Sequence, residues 1–280
     1  MEEGMKVLQT FRNYKDASED FKNKLANGYT LEQLGKLFEI PIEKVINILD
    51  HSTKTELVIN SIIKHYDQYK IDDDKIFVIS DTHIGNSNDA LQQLFEVYNL
   101  AYQKNIKYVV HAGDFIEGKS NPYQISDPYD QINRLKYIYN QIKNINTYYI
   151  YGNHDYNLYC NDFIDLKEQI NEIEGLKYIG KGDSYIKLAD DDFIKIHHYL
   201  SYDEVHKIEL DRKLDLAGHH HFYKKQDSNI FLPPLSFVNG QLQISFIELE
   251  TLGDSYLLKR YGFDDMKSIV EKENVLIKKR

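Results

Sequence analysis

Ile76-Phe-Val-Ile-Ser-Asp-Thr-His83, Tyr108-Val-Val-His-Ala-Gly-Asp114 and Tyr148-Tyr-Ile-Tyr-Gly-Asn-His-Asp155 share one design, an apolar run followed at once by a polar cluster. Short continuous apolar runs read as strands buried on both faces, and helical stretches over 88–104 and 128–143 separate them. The resulting βαβαβ order predicts right-handed crossovers and a largely parallel sheet. In such a sheet the ligand crevice lies beyond the carboxyl ends of the strands. The acids at 81 and 114 and the amide at 153 are one βα unit apart each time, so they are predicted to meet at one rim.

Beyond residue 175 strand-like pieces follow closely, at 184–188, 192–197, 214–217, 229–232, 242–249 and 254–261, which predicts a second sheet packed on the first. Two of them run into histidines: Ile194-Lys-Ile-His197-His198, and Leu214-Asp-Leu-Ala-Gly-His219-His220-His221. Carboxylate, amide and imidazole together suit Mn²⁺, Fe or Zn²⁺ and match an all-oxygen Ca²⁺ cage poorly. Seven such groups are too many for one ion, whereas two ions sharing Asp114 would use them all. His197 and His198 are strand neighbours that point to opposite faces, so only one can face the ions. His111 reads as a packed core histidine, and His220 as facing away from the site.

The ordered string D-x-H, G-D, G-N-H-D, a strand-ending His and G-H-x-H resembles the calcineurin-like metallophosphoesterase superfamily. The resemblance implies an α/β fold, a four-layer αββα metallophosphoesterase sandwich of two packed mixed sheets flanked by helices, here with a small N-terminal helical region. It implies that Asp81, His83, Asp114 and His221 hold one metal and that Asp114, Asn153, His197 and His219 hold the other. His197 is preferred because Ile194-Lys-Ile-His197 matches the family's fourth block. The two divalent ions would be Mn²⁺ first, with Fe, Zn²⁺ or Ni²⁺ as alternatives, and the nucleophile a hydroxide bridging them. His154, left over as a non-ligand, becomes the candidate general acid.

The substrate class is narrower than the family. Gly113-Asp-Phe-Ile-Glu-Gly-Lys119 lacks the arginine with which the family's protein phosphatases clamp phosphate, which disfavours that branch. A phosphodiester, of a nucleotide or nucleic acid, is expected ahead of a monoester. The alternatives are a phosphomonoesterase of the same superfamily, a nuclease or DNA-associated protein using the N-terminal helices, and a catalytically idle scaffold. Glu117, Lys119 and Tyr156 are candidate substrate contacts, and Glu117 could instead orient His154. The loop 117–130, rich in Tyr, Asn and Ser, is placed to meet a base or sugar.

At 280 residues, 42% hydrophobic and 28% charged, the chain has the make-up of a globular protein with a substantial core. Its net charge of −10 excludes the basic footprint of a general nucleic-acid binder, so a phosphate must be drawn in locally. A single cysteine, Cys160, fits a packing thiol in a reducing compartment, and without a signal peptide or an apolar run of membrane-spanning length the expected location is the cytoplasm, with no membrane partner.

Three regions are expected: a helical N-terminal region over 1–72, a metallophosphoesterase domain over 73–262 and a helical tail over 263–280. In the first, Thr30 caps a helix with the stripe Leu31, Leu34, Leu37 and Phe38, and Pro41 opens a second with Ile42, Val45, Ile46 and Leu49, in the manner of a helix-turn-helix. Ten Lys and Arg against eleven Asp and Glu over residues 1–70 favour packing, oligomerisation or partner binding over DNA reading.

Overall fold

The structure is a computed structural model describing residues 19–24, 29, 31–38, 45, 69–119, 127–189, 192–199, 213–237, 244–265 and 267–279. The chain divides into two compact units, Met1–Lys70 and Ile71–Arg280. In the first, helix α1 (Leu31–Phe38) occupies the place expected for the capped helix. The second expected helix, Val45 aside, and residues 120–126 of the predicted base-contacting loop lie outside the described residues.

The larger unit is built on a seven-stranded mixed sheet in the order β12-β11-β10-β1-β2-β3-β4. Strands β1 (Lys75–Ile79), β2 (Tyr108–His111), β3 (Asn146–Tyr151) and β4 (Leu176–Lys181) run parallel. Helices α2 (Leu91–Gln103) and α3 (Pro128–Tyr139) make the first two crossovers. Asp127 accepts from the N–H groups of Tyr129 and Asp130 and Pro128 opens the first turn, which sets where α3 starts. Leu94, Val97, Leu135 and Ile138 on these helices pack over Phe77, Val109 and Tyr149 of the strands. The alternate strand residues Ile76, Val78, Val110 and Ile150 are buried as well, as the inner face of two stacked sheets requires.

The second sheet has the order β5-β6-β7-β9-β8, with β5 (Asp183–Lys187), β6 (Phe193–His197), β7 (Leu214–Ala217), β8 (Lys224–Gln226) and β9 (Asn229–Phe231). Not all of the late strands belong to it. β10 (Ser245–Leu252) returns to the first sheet antiparallel to β1, and β11 (Ser255–Asp264) follows through a two-residue turn. Gly253 has φ +56 at the first turn position, where tight hairpins favour glycine. The expected C-terminal helical tail is corrected: Ser268–Lys278 forms β12, an eleven-residue edge strand paired with β11 along its length. Its polar, lysine-rich face reads equally well as an exposed helix, and only the free edge of β11 decides between them. Among the described residues no helix is long and apolar enough to cross a membrane.

Candidate active site

β1, β2 and β3 end side by side, and β6 and β7 end opposite them. The loops leaving these strands are laced together by main-chain bonds: the N–H of Asp81 donates to the C=O of Gly113, that of His83 to Asp114, and that of Gly218 to His197. Helix α4 (Asn153–Asp162) starts immediately after β3. The buried Asp155 carboxylate in its first turn accepts from the N–H groups of Phe115, Ile116 and Gly152, which pins the second polar cluster to the third. Burial, with the charge of Asp114 added to it, pushes Asp155 up to about 6. Gly152 is required by close approach, since a Cβ there would overlap the Asp114 carboxylate and lie 2.5 Å from its backbone nitrogen.

Two groups of donors converge and share Asp114: Asp81, His83, Asp114 and His221 form one, and Asp114, His198 and His219 the other. In the first, His221 Nε2 lies 3.1 Å from Asp81 Oδ1 and 3.2 Å from His83 Nε2. In the second, His198 Nε2 lies 3.0 Å from Asp114 Oδ2, and Asn153 Oδ1 lies 2.8 Å from His219 Nδ1 and 3.2 Å from His198 Nε2. Five of these residues, Asp81, His83, Asp114, His219 and His221, adopt positive φ between 44° and 76°. The left-handed region costs a non-glycine residue about 1–2 kcal/mol, so such a cluster marks strain held for function.

His197 is not at this centre, which corrects the expectation. Its Nε2 lies 3.1 Å from Asp215 Oδ1, on the partly exposed side of β6 that it shares with Phe193 and Lys195. His198 takes its place from just beyond the strand, on the side of the buried Ile194 and Ile196. Strand neighbours point to opposite faces, and the parity of the buried isoleucines, legible in the sequence, selects His198. The Nδ1 of His198 donates to the C=O of Ala112 at 2.7 Å, so the proton sits there and Nε2 faces Asp114 and Asn153. Burial works against a charged imidazole, yet Asp114 and Asp81 outweigh it and hold His198 up at about 9. Asp114 is correspondingly held far below the usual carboxylate range: burial opposes this and the charge of His198 overcomes it.

His154 stands beside the centre, its ring 4.7 Å from that of His83 and at a right angle to it. Its N–H donates to Asp114 Oδ1 and its Nδ1 to the C=O of Glu117 at 2.6 Å, leaving Nε2 available. Burial lowers its pKa, but the charge of Asp114 and the carbonyl of Glu117 reverse the sign and raise it.

The three candidate substrate contacts behave differently from one another. Glu117 is 1% exposed and turns inward, with Oε2 2.9 Å from His83 Nδ1 and Oε1 3.9 Å from His154 Nδ1, so it presents no surface to a substrate. Lys119 pairs with Asp162 at 3.1 Å across a cavity of about 180 Å³ lined also by Asn157, Leu158 and Asn161. The Tyr156 ring carries Lys181 Nζ 4.3 Å from its centroid. His111 is a core histidine as expected, stacked on Phe115 at 3.8 Å and held down to about 3 by burial. Cys160 is exposed on α4 instead of packed.

The donors suit a pair of divalent ions. The Nε2 atoms of His83 and His221 lie 3.2 Å apart, so one carries the proton of a hydrogen bond when no ion is bound, and both can turn lone pairs to a shared cation. Separations of 3.0–3.2 Å are edge lengths of a shell whose bonds are about 2.1 Å.

A sequence model of the family described as calcineurin-like phosphoesterase matches residues 74–268. The chain belongs to the calcineurin-like phosphoesterase family. Its members use dinuclear metal centres, and this chain has a His/Asp cluster that could bind metal. No curated protein sequence matches the chain. Among solved structures it is similar to Vps29 of Entamoeba histolytica (16% identity over 72% of this chain and 99% of that one, TM-score 0.43). It is also similar to Vps29 of Chaetomium thermophilum (14%, 74% and 99%, TM-score 0.45) and to a predicted phosphoesterase from Streptococcus pneumoniae (12%, 71% and 98%, TM-score 0.33).

Proposed function

We propose that this calcineurin-like phosphoesterase is a dinuclear, Mn²⁺-dependent phosphodiesterase acting on a nucleotide or nucleic-acid diester in the cytoplasm. The observation that carries the reading is the pair of donor groups sharing Asp114, with the ring of His154 beside that of His83 at their edge. Asp81, His83, Asp114 and His221 would hold one ion, and Asp114, Asn153, His198 and His219 the other. When bound, the two ions supply Lewis acidity, making water a nucleophile near neutral pH and offsetting charge on the phosphoryl oxygens.

The chain's own groups do the rest. The Ala112 carbonyl aims His198, and the Asp155 bonds keep the loop bearing Asp114 against the turn bearing His154. His154, anchored through Nδ1 and with its pKa raised, gives its proton to the departing alkoxide from Nε2. Charge supports a diester: Lys119 is paired with Asp162 and Arg134 with Asp89, and the chain is acidic, so a singly charged phosphate is admitted more readily than a dianion.

The full chain with Mn²⁺ is expected to hydrolyse bis-p-nitrophenyl phosphate faster than p-nitrophenyl phosphate, and Asp114→Asn and His154→Ala to lose roughly 100-fold or more in kcat. A panel of single- and double-stranded DNA, cyclic nucleotides and dinucleotides identifies the substrate. Preference for the monoester, or equal turnover by the variants, would overturn the reading.

A further inference from the structure

The loop that carries Asp114 continues into a second buried acid with a different outlook. The N–H of Glu117 donates to the C=O of Ile84, its own C=O receives His154 Nδ1, and the next residue, Gly118, is bonded on both its N–H and its C=O by the side chain of Gln131. With the backbone held on both sides, the carboxylate has one place to go. Its Oε2 lies 2.9 Å from Nδ1 of His83. Burying a carboxylate against an imidazole costs free energy that an apolar side chain would not, so packing alone does not explain the choice.

His83 offers its two nitrogens to different neighbours. Nδ1 meets Glu117, while Nε2 faces His221 at 3.2 Å, Asp114 at 3.7 Å and Asp81 at 3.8 Å. An acceptor at Nδ1 selects the tautomer protonated there, which leaves the Nε2 lone pair directed at the donor group, and a carboxylate acceptor also raises the basicity of the ring. The trio His83, Glu117 and His154 has ligand-like spacing of its own, but His154 Nδ1 is occupied as a donor to the Glu117 carbonyl and so has no lone pair to offer.

We infer that Glu117 is a positioning residue: its carboxylate orients His83 from behind and thereby sets the affinity of the ion held by Asp81, His83, Asp114 and His221. It touches neither ion nor substrate. The inference rests on the two-ion reading above and goes beyond it by separating the two ion sites in strength.

Calorimetric titration of the chelator-treated full chain with Mn²⁺ tests it. Wild type is expected to take up two ions. Glu117→Gln, nearly isosteric, and Glu117→Ala are expected to weaken one site by tenfold to a hundredfold and to leave the other within about twofold. His221→Ala identifies the weakened site, because it abolishes that same one, and thermal melts establish that each variant is folded. Unchanged binding of both ions by Glu117→Gln and Glu117→Ala would overturn the positioning role alone. Equal weakening at both sites would overturn it too, assigning Glu117 to the scaffold. A wild-type chain that binds no ion would overturn the two-ion reading and this inference with it.

Discussion

His198 and His197 are adjacent and chemically identical, yet their surroundings give them opposite work. The first has both ring nitrogens committed, Nδ1 to the Ala112 carbonyl and Nε2 toward Asp114 and Asn153, and it is buried; the second leans on Asp215 at the partly exposed side of β6. His198→Ala removes a donor from the shared-aspartate centre and leaves Asp114 without its nearest counter-charge. A drop in phosphodiesterase activity beyond about 100-fold is expected, since loss of a residue that only supports a ligand already costs 10–100-fold. His197→Ala loses only its contact with Asp215, which is not one of the converging donors, and its activity is expected to stay within about threefold. Steady-state assays of the two variants at saturating Mn²⁺ check this, and the reverse order would return the ligand role to His197.

Among the elements, the parallel strands β1 to β3 were readable because each is a run of four or so apolar residues ending in chemistry, and Asp127-Pro128 announces the start of α3. β4 and β12 were not. Leu176–Lys181 mixes Lys, Tyr and Gly with only Ile179 fully buried, and Ser268–Lys278 shows the core a single residue, Ile277, so neither has the period that distinguishes strand from helix. Tertiary partners decide such segments, and one partner network is specific. Glu248 on β10 is 2% exposed, bonded by Lys104 at the end of α2 at 2.5 Å and by Tyr261 of β11 at 3.2 Å. Burial raises its pKa, but the bond and charge of Lys104 reverse this and depress it below the ordinary 4.5. A depressed carboxylate contributes stability that is present above the unfolded value and lost as pH falls through the folded one. Lys104→Met removes the main cause, so acid unfolding followed by circular dichroism is expected to move to higher pH, with about 1–3 kcal/mol lost at neutrality. An unchanged acid midpoint would refute the assignment.

At the scale of the molecule, every donor of the centre comes from the Ile71–Arg280 unit, drawn from residue 81 to residue 221 and gathered by two sheets. Each ion that binds this arrangement and not the unfolded chain stabilises it by mass action, about 2.7 kcal/mol per site at a hundredfold excess over Kd, which for a unit of this size raises Tm by roughly 5–10 °C for each site filled. The gain depends on pH in a direction set by His198. Without metal its pKa stands near 9, raised by Asp114 and Asp81 against the effect of burial, and this ionic contribution to stability is complete below the unfolded value of 6.5 and lost as pH rises through 9. An ion must displace that proton, so below pH 9 each unit of acidity weakens apparent affinity by up to about tenfold, or about 1.4 kcal/mol. Scanning calorimetry of the full chain at pH 6, 7 and 8, with Mn²⁺ and with chelator, is expected to show a Tm difference that widens with pH. A difference that is constant, or largest at pH 6, would mean that the ions do not displace the His198 proton and that its nitrogen is not a ligand.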